Sequence, residues 1–181
     1  MNTETHFPIV YLFLDFDGVV HPMFAGSRHQ EWEKHPFCYL PEFESAIRRA
    51  RQPVRIVIAS TWRKKRDLEV LRKPFSPDIA ALVVGKTPEG TIDNQPGARL
   101  AEVQAWMKAH AQPEDKAVAI DDMGELYLGP DGQTDQIALV CCPDRFGTEQ
   151  GRALNQAIAD PDAWIQAHPI VRREGLIVVG G

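Results

Sequence analysis

The chain of 181 residues contains no apolar run approaching the roughly 18 residues that span a bilayer, which excludes a helical membrane protein. The stretch from Met1 to His6 lacks the basic and then apolar profile of a signal peptide, so the expected location is the cytoplasm. Cysteine is scarce. Cys38 and the adjacent Cys141 and Cys142 are too few and too poorly spaced for a disulfide framework, and reduced, buried thiols are expected. The pair lacks a histidine at recognisable spacing, which argues against a thiol nucleophile. His21, His29, His35 and Cys38 lie near one another but match no common zinc finger, and a solvated loop is the better reading. A Gly-x-x-x-x-Gly-Lys-Ser/Thr loop is missing, which disfavours a P-loop nucleotide hydrolase. Repeats and low-complexity segments are missing too.

What is present has the proportions of a folded globular chain, 44% hydrophobic and 25% charged, and one domain over residues 1–181 is expected. The net charge of −5 is unevenly spread. Residues 48–73 hold 10 of the 20 Lys and Arg residues, opposed only by Asp67 and Glu69. Solvated faces of two helices, Arg63 among them, account for this segment most simply; attraction of a phosphate-rich partner is the alternative. Lys64, Lys65 and Arg66 are expected to open the second of those helices, where they oppose its dipole.

Short continuous apolar runs alternate with stripes of helical period. The runs Ile9–Leu14, Val54–Ala59 and Ala117–Ile120 read as buried strands, with 80–84 and 136–140 as weaker candidates. Leu40, Phe43, Ala46, Ile47 and Ala50 mark one helix, Leu68, Leu71 and Phe75 a second, Leu100, Val103, Trp106 and Met107 a third, and Leu154, Ala157 and Ile158 a fourth. This order predicts an α/β fold, a central parallel sheet with helices on both faces. Leu176–Val179 reads as an edge strand or a loosely held extension, and Trp62, Trp106 and Trp164 as core or rim aromatics.

Ligands of such sheets bind outside the carboxyl ends of the strands. Three of the five strand ends carry carboxylates or hydroxyls: Asp15 and Asp17, Ser60 and Thr61, Asp121 and Asp122. Folding would gather four carboxylates in a small volume, which is costly without a cation, and hard oxygen ligands suit Mg²⁺.

At these residues the chain resembles the haloacid dehalogenase (HAD) superfamily of phosphohydrolases and phosphotransferases. Leu12-Phe13-Leu14-Asp15-Phe16-Asp17-Gly18-Val19-Val20 matches its first motif, Ser60 its second, and Ala119-Ile120-Asp121-Asp122 its fourth in the paired-Asp form. For the basic third motif Arg99 fits best, with Lys86 as runner-up. Within the superfamily, the segments from Leu14 to Pro22, Ala59 to Arg63, Gly85 to Pro88 and Asp144 to Thr148 look like the HAD domain of Swiss Army knife RNA-repair proteins.

The resemblance implies a HAD-like, Rossmann-like core over about residues 8–158, a short cap-like insert at 19–40 and a C-terminal extension at 159–181. It implies Asp15 as nucleophile and metal ligand, and Asp17 as general acid whose backbone carbonyl also contacts Mg²⁺. Ser60 and Arg99 would hold the phosphoryl group, while Gly18, Thr61, Arg63 and Lys86 would serve substrate binding. Asp122 is the choice for direct metal contact and Asp121 for support, an order that is reversible. So small an insert leaves the site open, which suits a substrate larger than a metabolite, such as an RNA or DNA end, or calls for a partner chain, a second copy included, to close it. A phosphatase of free nucleotides or other small phosphoesters and a non-catalytic phosphate-binding module are the rival readings.

Overall fold

The computed structural model describes residues 8–23, 35–90, 95–130, 133–134, 137–143, 145–173 and 176–179. Five parallel strands form the central sheet: β1 (Val10–Leu14), β2 (Val54–Ile58), β3 (Val83–Lys86), β4 (Lys116–Asp121) and β6 (Ala138–Cys141), in the order β3-β2-β1-β4-β6. The order reverses beside β1, because the chain winds outward through β2 and β3 and then returns to place β4 on the other side. Such a reversal opens a crevice at the strand ends.

Side chains alternate between the two faces of this sheet. Leu12, Leu14, Ile56, Ile58, Val118 and Ile120 pack on one face with α1 (Leu40–Arg49) and α5 (Thr148–Ala159). Phe13, Val57, Ala119 and Leu139 pack on the other with α4 (Ala98–His110) and the 3₁₀ turn Gly124–Tyr127. Both faces are covered, which explains why the central strands read as continuous apolar runs. The expected α/β class and its parallel sheet are observed.

Several boundaries differ from expectation. Ala80 closes the short helix α3 (Pro77–Ala80), so the strand expected over 80–84 starts at Val83. The stripe of Leu68, Leu71 and Phe75 belongs to a five-residue helix α2 (Leu68–Arg72), with Phe75 beyond its end. Lys64 ends a 3₁₀ turn, Thr61–Lys64, and Lys65 and Arg66 follow it, so none of the three opens α2 or opposes its dipole. β8 (Leu176–Val179) pairs antiparallel with β7 (Ile170–Arg173), which also pairs with the two-residue β5 (Gln133–Thr134). Helix α6 (Pro161–Ala167) leads into this second sheet. The middle of the expected cap-like insert, with His29, lies outside the described residues, as does Asp144. No helix among the described residues is long and apolar enough to cross a membrane.

Candidate active site

Parallel pairing in register sets the site. Leu14 lies level with Ile58 and Ile120, so Asp15, Ala59 and Asp121 leave the sheet side by side. The Asp15 amide donates to the Ile120 carbonyl at 3.1 Å, and the Ala59 amide to that of Leu14 at 2.8 Å. The three strands therefore stay bonded up to Asp15 and Ala59. Ligand atoms of Asp15, Asp121 and Asp122 lie within 4.8 Å of one another.

Gly18 makes this crowding feasible. Its φ of +77° turns the chain sharply after Asp17, and a Cβ there would lie 2.6 Å from the Asp122 carboxylate. Any other residue would be strained and would push Asp122 away. Its amide donates to the His21 carbonyl at 2.8 Å, so Gly18 shapes the turn.

Arg99 enters the cluster from the start of α4. Gly97, at φ +80°, precedes it, and a Cβ there would meet the Leu128 carbonyl at 2.5 Å. The Gly97 amide donates to the Glu125 carbonyl at 3.1 Å, which ties the head of α4 to the 3₁₀ turn after β4. The Arg99 guanidinium then lies 4.0 Å from Asp15 and 3.8 Å from Asp121, while Nη1 bonds Glu102 at 3.3 Å. Lys86 goes elsewhere. Its ammonium donates to the carbonyls of Arg63 at 2.8 Å and Arg66 at 3.1 Å.

Burial and mutual repulsion set the charges. Burial first, and then the Asp121 carboxylate, hold Asp15 well above the usual carboxylate range, with Arg99 in part opposing them. Burial raises Asp121 as well, against Arg99 and the bonds it accepts from the Met123 amide at 2.9 Å and the Tyr127 hydroxyl at 3.0 Å. Asp122, half-buried, is pushed up to about 6 by burial and by Asp121. Burial keeps the Tyr127 phenol neutral and hence a donor. Both oxygens of Asp121 are thus engaged. Such a set of carboxylates is short of positive charge, and its hard oxygen donors fit Mg²⁺.

Asp17 stands apart from that trio. Trp62 Nε1–H donates to its Oδ2 at 2.8 Å, and His21 Nδ1 lies 3.2 Å from Oδ1. His21 is therefore half-buried against Asp17, Phe37 and Trp62, not in a solvated loop. Ser60 is fully buried and caps the 3₁₀ turn, accepting from the Trp62 amide at 3.5 Å; Thr61 is exposed.

Arg63 corrects the sequence reading most sharply. Read as a solvated or substrate-facing cation, it is 1% exposed, ion-paired with Glu102 and bonded to the carbonyls of Ala59 and Ser60. Nor is the basic segment one patch: Arg48 pairs with Asp78 and Glu44, and Arg72 holds the Val83 carbonyl, while Lys65 and Arg66 are exposed. Sequence reasoning missed Glu102, Tyr127 and the bond from Trp62. Only Glu102 left a trace, three residues after Arg99 and hence on the same side of α4. Burial pushes the Cys141 thiol up to about 12, which disfavours its thiolate.

No curated protein and no solved structure matches the chain. A family match does exist, to the HAD domain in Swiss Army Knife RNA repair proteins, and it runs over residues 11–149. That stretch takes in β1 from Tyr11 onward, β2, β4, the carboxylate trio, Asp17, Ser60 and Arg99. Since the match covers most of the chain and all of the strand ends just described, this protein belongs to that HAD-domain family.

Proposed function

We propose that the chain is a Mg²⁺-dependent phosphohydrolase that works through an aspartyl-phosphate on Asp15 and acts on phosphorylated nucleic-acid ends. The observation that carries this reading is the meeting of Asp15, Asp121 and Asp122 at the sheet's carboxyl edge with Arg99 beside them. Asp15, Asp122 and the backbone carbonyl of Asp17 would hold the ion, with Asp121 supporting them through its own bonded oxygens. A divalent cation bound there supplies positive charge against the phosphoryl oxygens, which otherwise repel a carboxylate nucleophile.

The chain's own groups do the rest. Asp15 attacks phosphorus, and the bond to the leaving oxygen breaks as the new O–P bond forms. Asp17 gives its proton to that oxygen, then takes one from the water that attacks the aspartyl-phosphate; inorganic phosphate departs and Asp15 is restored. Arg99 stabilises charge on the group in transfer, and the Ser60 hydroxyl bonds one of its oxygens. A mere binding pocket has little need for carboxylates facing an anion, and retention of both Asp15 and Asp17 favours an enzyme.

A nucleic-acid end as substrate is supported by the family's description and by exposed Lys65 and Arg66 beyond Trp62. The test is a panel of nucleotides, sugar phosphates and phosphorylated RNA and DNA ends, each with Mg²⁺ and with EDTA. Phosphate release from oligonucleotide ends that stops in EDTA is the expected result. Preference for small esters would reassign the substrate, and turnover in EDTA would overturn the metal-dependent mechanism.

A further inference from the structure

Beyond the carboxylates, Asp17 meets an aromatic cluster that phosphoryl transfer does not itself require. Trp62 is its hub, with ring centroids of Phe16 at 5.7 Å, His21 at 5.1 Å and Phe37 at 5.4 Å. The indole is half-buried, and the exposed guanidinium of Arg66 lies over its ring, 4.2 Å from the centroid. An exposed cation over an indole contributes only about 0.5–1 kcal/mol, so stability alone is a weak reason for the pair.

Position supplies a stronger one. The general acid meets the leaving oxygen, so whatever that oxygen carries departs on the side of Asp17. Trp62, bonded to Asp17 through its indole N–H, lies there with Arg66 beyond it and His21 beside it. A flat ring and a planar cation suit a nucleobase, whose π face stacks on either. Exposed Lys65 adds charge for a neighbouring phosphate.

We propose that Trp62 and Arg66 form the leaving-group subsite, which stacks the base of the nucleotide bearing the phosphate. The inference rests on the phosphohydrolase reading and names the feature of the substrate that the site selects. Trp62 then has two tasks: its edge holds Asp17, and its face carries the Arg66 guanidinium, against which the base stacks.

The experiment compares kcat/KM, with Mg²⁺, for a nucleoside 5′-monophosphate, for ribose 5-phosphate, which is the same ester without a base, and for a 5′-phosphorylated oligonucleotide. Stacking contributes about 1–3 kcal/mol per base, so the nucleotide should be preferred over the sugar roughly 5- to 150-fold. Trp62→Leu and Arg66→Ala should each bring that ratio toward one. Trp62→Phe keeps a ring but loses the N–H, and should lower kcat on both esters while keeping most of the preference. The oligonucleotide separates a nucleic-acid end from a free nucleotide as the source of the base. A ratio near one in the unaltered protein, or a ratio that survives both Trp62→Leu and Arg66→Ala, overturns the subsite and leaves the phosphohydrolase standing. If no ester is hydrolysed, the phosphohydrolase reading fails on its own. The subsite is then decided by titrating Asp15→Asn protein with the nucleoside monophosphate: quenching of indole fluorescence that Trp62→Phe abolishes supports it, and unchanged quenching or none overturns it.

Discussion

Against α1 and α5 the central sheet presents Leu12, Leu14, Ile56 and Ile58, and the helices answer with Phe43, Ile47 and Leu154. Against α4 the same strands present Phe13 and Val57, but the layer at their carboxyl edge holds Arg63, Arg99, Glu102 and Asp121, all less than a tenth exposed. The first arrangement stabilises the fold directly, since burying one large apolar side chain is worth about 1.5–3 kcal/mol. The second gains little net stability, because desolvation of buried charges offsets most of their attraction. What it provides is position. Glu102 bonds both Arg63, which grips the chain after β2, and Arg99, which faces Asp15. One carboxylate thus joins the loop of Ser60 to the cation of the site.

The largest expected effect tests whether the charged side carries the chemistry at all. On the proposed mechanism Asp15→Asn keeps the shape but loses the attacking oxygen and a metal ligand, so turnover should fall to background, and beryllium fluoride should form its adduct on Asp15 in the unaltered protein. Turnover equal to that of the unaltered protein would remove Asp15 from the mechanism.

Next comes the link between the two arginines. Glu102→Gln leaves Arg63 buried without its charge partner, which should cost about 3–5 kcal/mol in urea unfolding. Misplacing Arg99 should lower kcat by about 100-fold. Replacing both Arg63 and Glu102 with Met should restore much of the stability and little of the turnover. Recovery of both together would show that the pair only holds the fold.

Phe43→Ala probes the apolar side. The ring is fully buried and meets Phe146 edge-on at 5.5 Å, so its loss should cost about 3–5 kcal/mol of stability while kcat below the melting transition stays as it was. A matching loss of kcat would erase the distinction between the faces.

The smallest effect concerns Asp122. Its carboxyl stands at about 6 in the metal-free protein, above its ordinary value of 3.8, so the native state binds more protons than the unfolded chain between those values. Stability from this group is therefore greatest below that window and falls as pH rises through it. In EDTA, Asp122→Asn should melt a few degrees above the unaltered protein at about pH 7.5, with the gain vanishing near pH 4. Half-burial keeps the gain small through solvent screening. Adding Mg²⁺ should reverse the order, because the variant has lost a ligand. A gain independent of pH would separate Asp122 from the charge crowding.

This contrast also decides what the sequence reveals. β1, β2 and β4 are legible because burial on both faces demands unbroken apolar runs, and Asp15, Asp17, Ser60 and the Asp121-Asp122 pair stand where those runs stop. β3 is less so: it is an edge strand with Val84 exposed, and the alanines before it belong to a helical turn. Arg63 looks like any surface cation, since the Glu102 that neutralises it is 39 residues away. The bond from Trp62 to Asp17 crosses 45 residues and follows from no local pattern. Charge pairing across a fold has no periodicity, whereas apolar burial does.

The placement of β1 between β2 and β4 bears on how the chain assembles. As the polypeptide leaves the ribosome, Asp15 and Asp17 emerge long before the partner of β1 on one side, β4; the bond from the Ile9 amide to Asp115 spans 106 residues. Closing so long a loop is a slow event in folding. The cluster of Asp15, Asp121 and Asp122 therefore comes into being only after β4 has been made and has slotted in beside β1, so a half-folded molecule holds Asp15 without the carboxylates that crowd it.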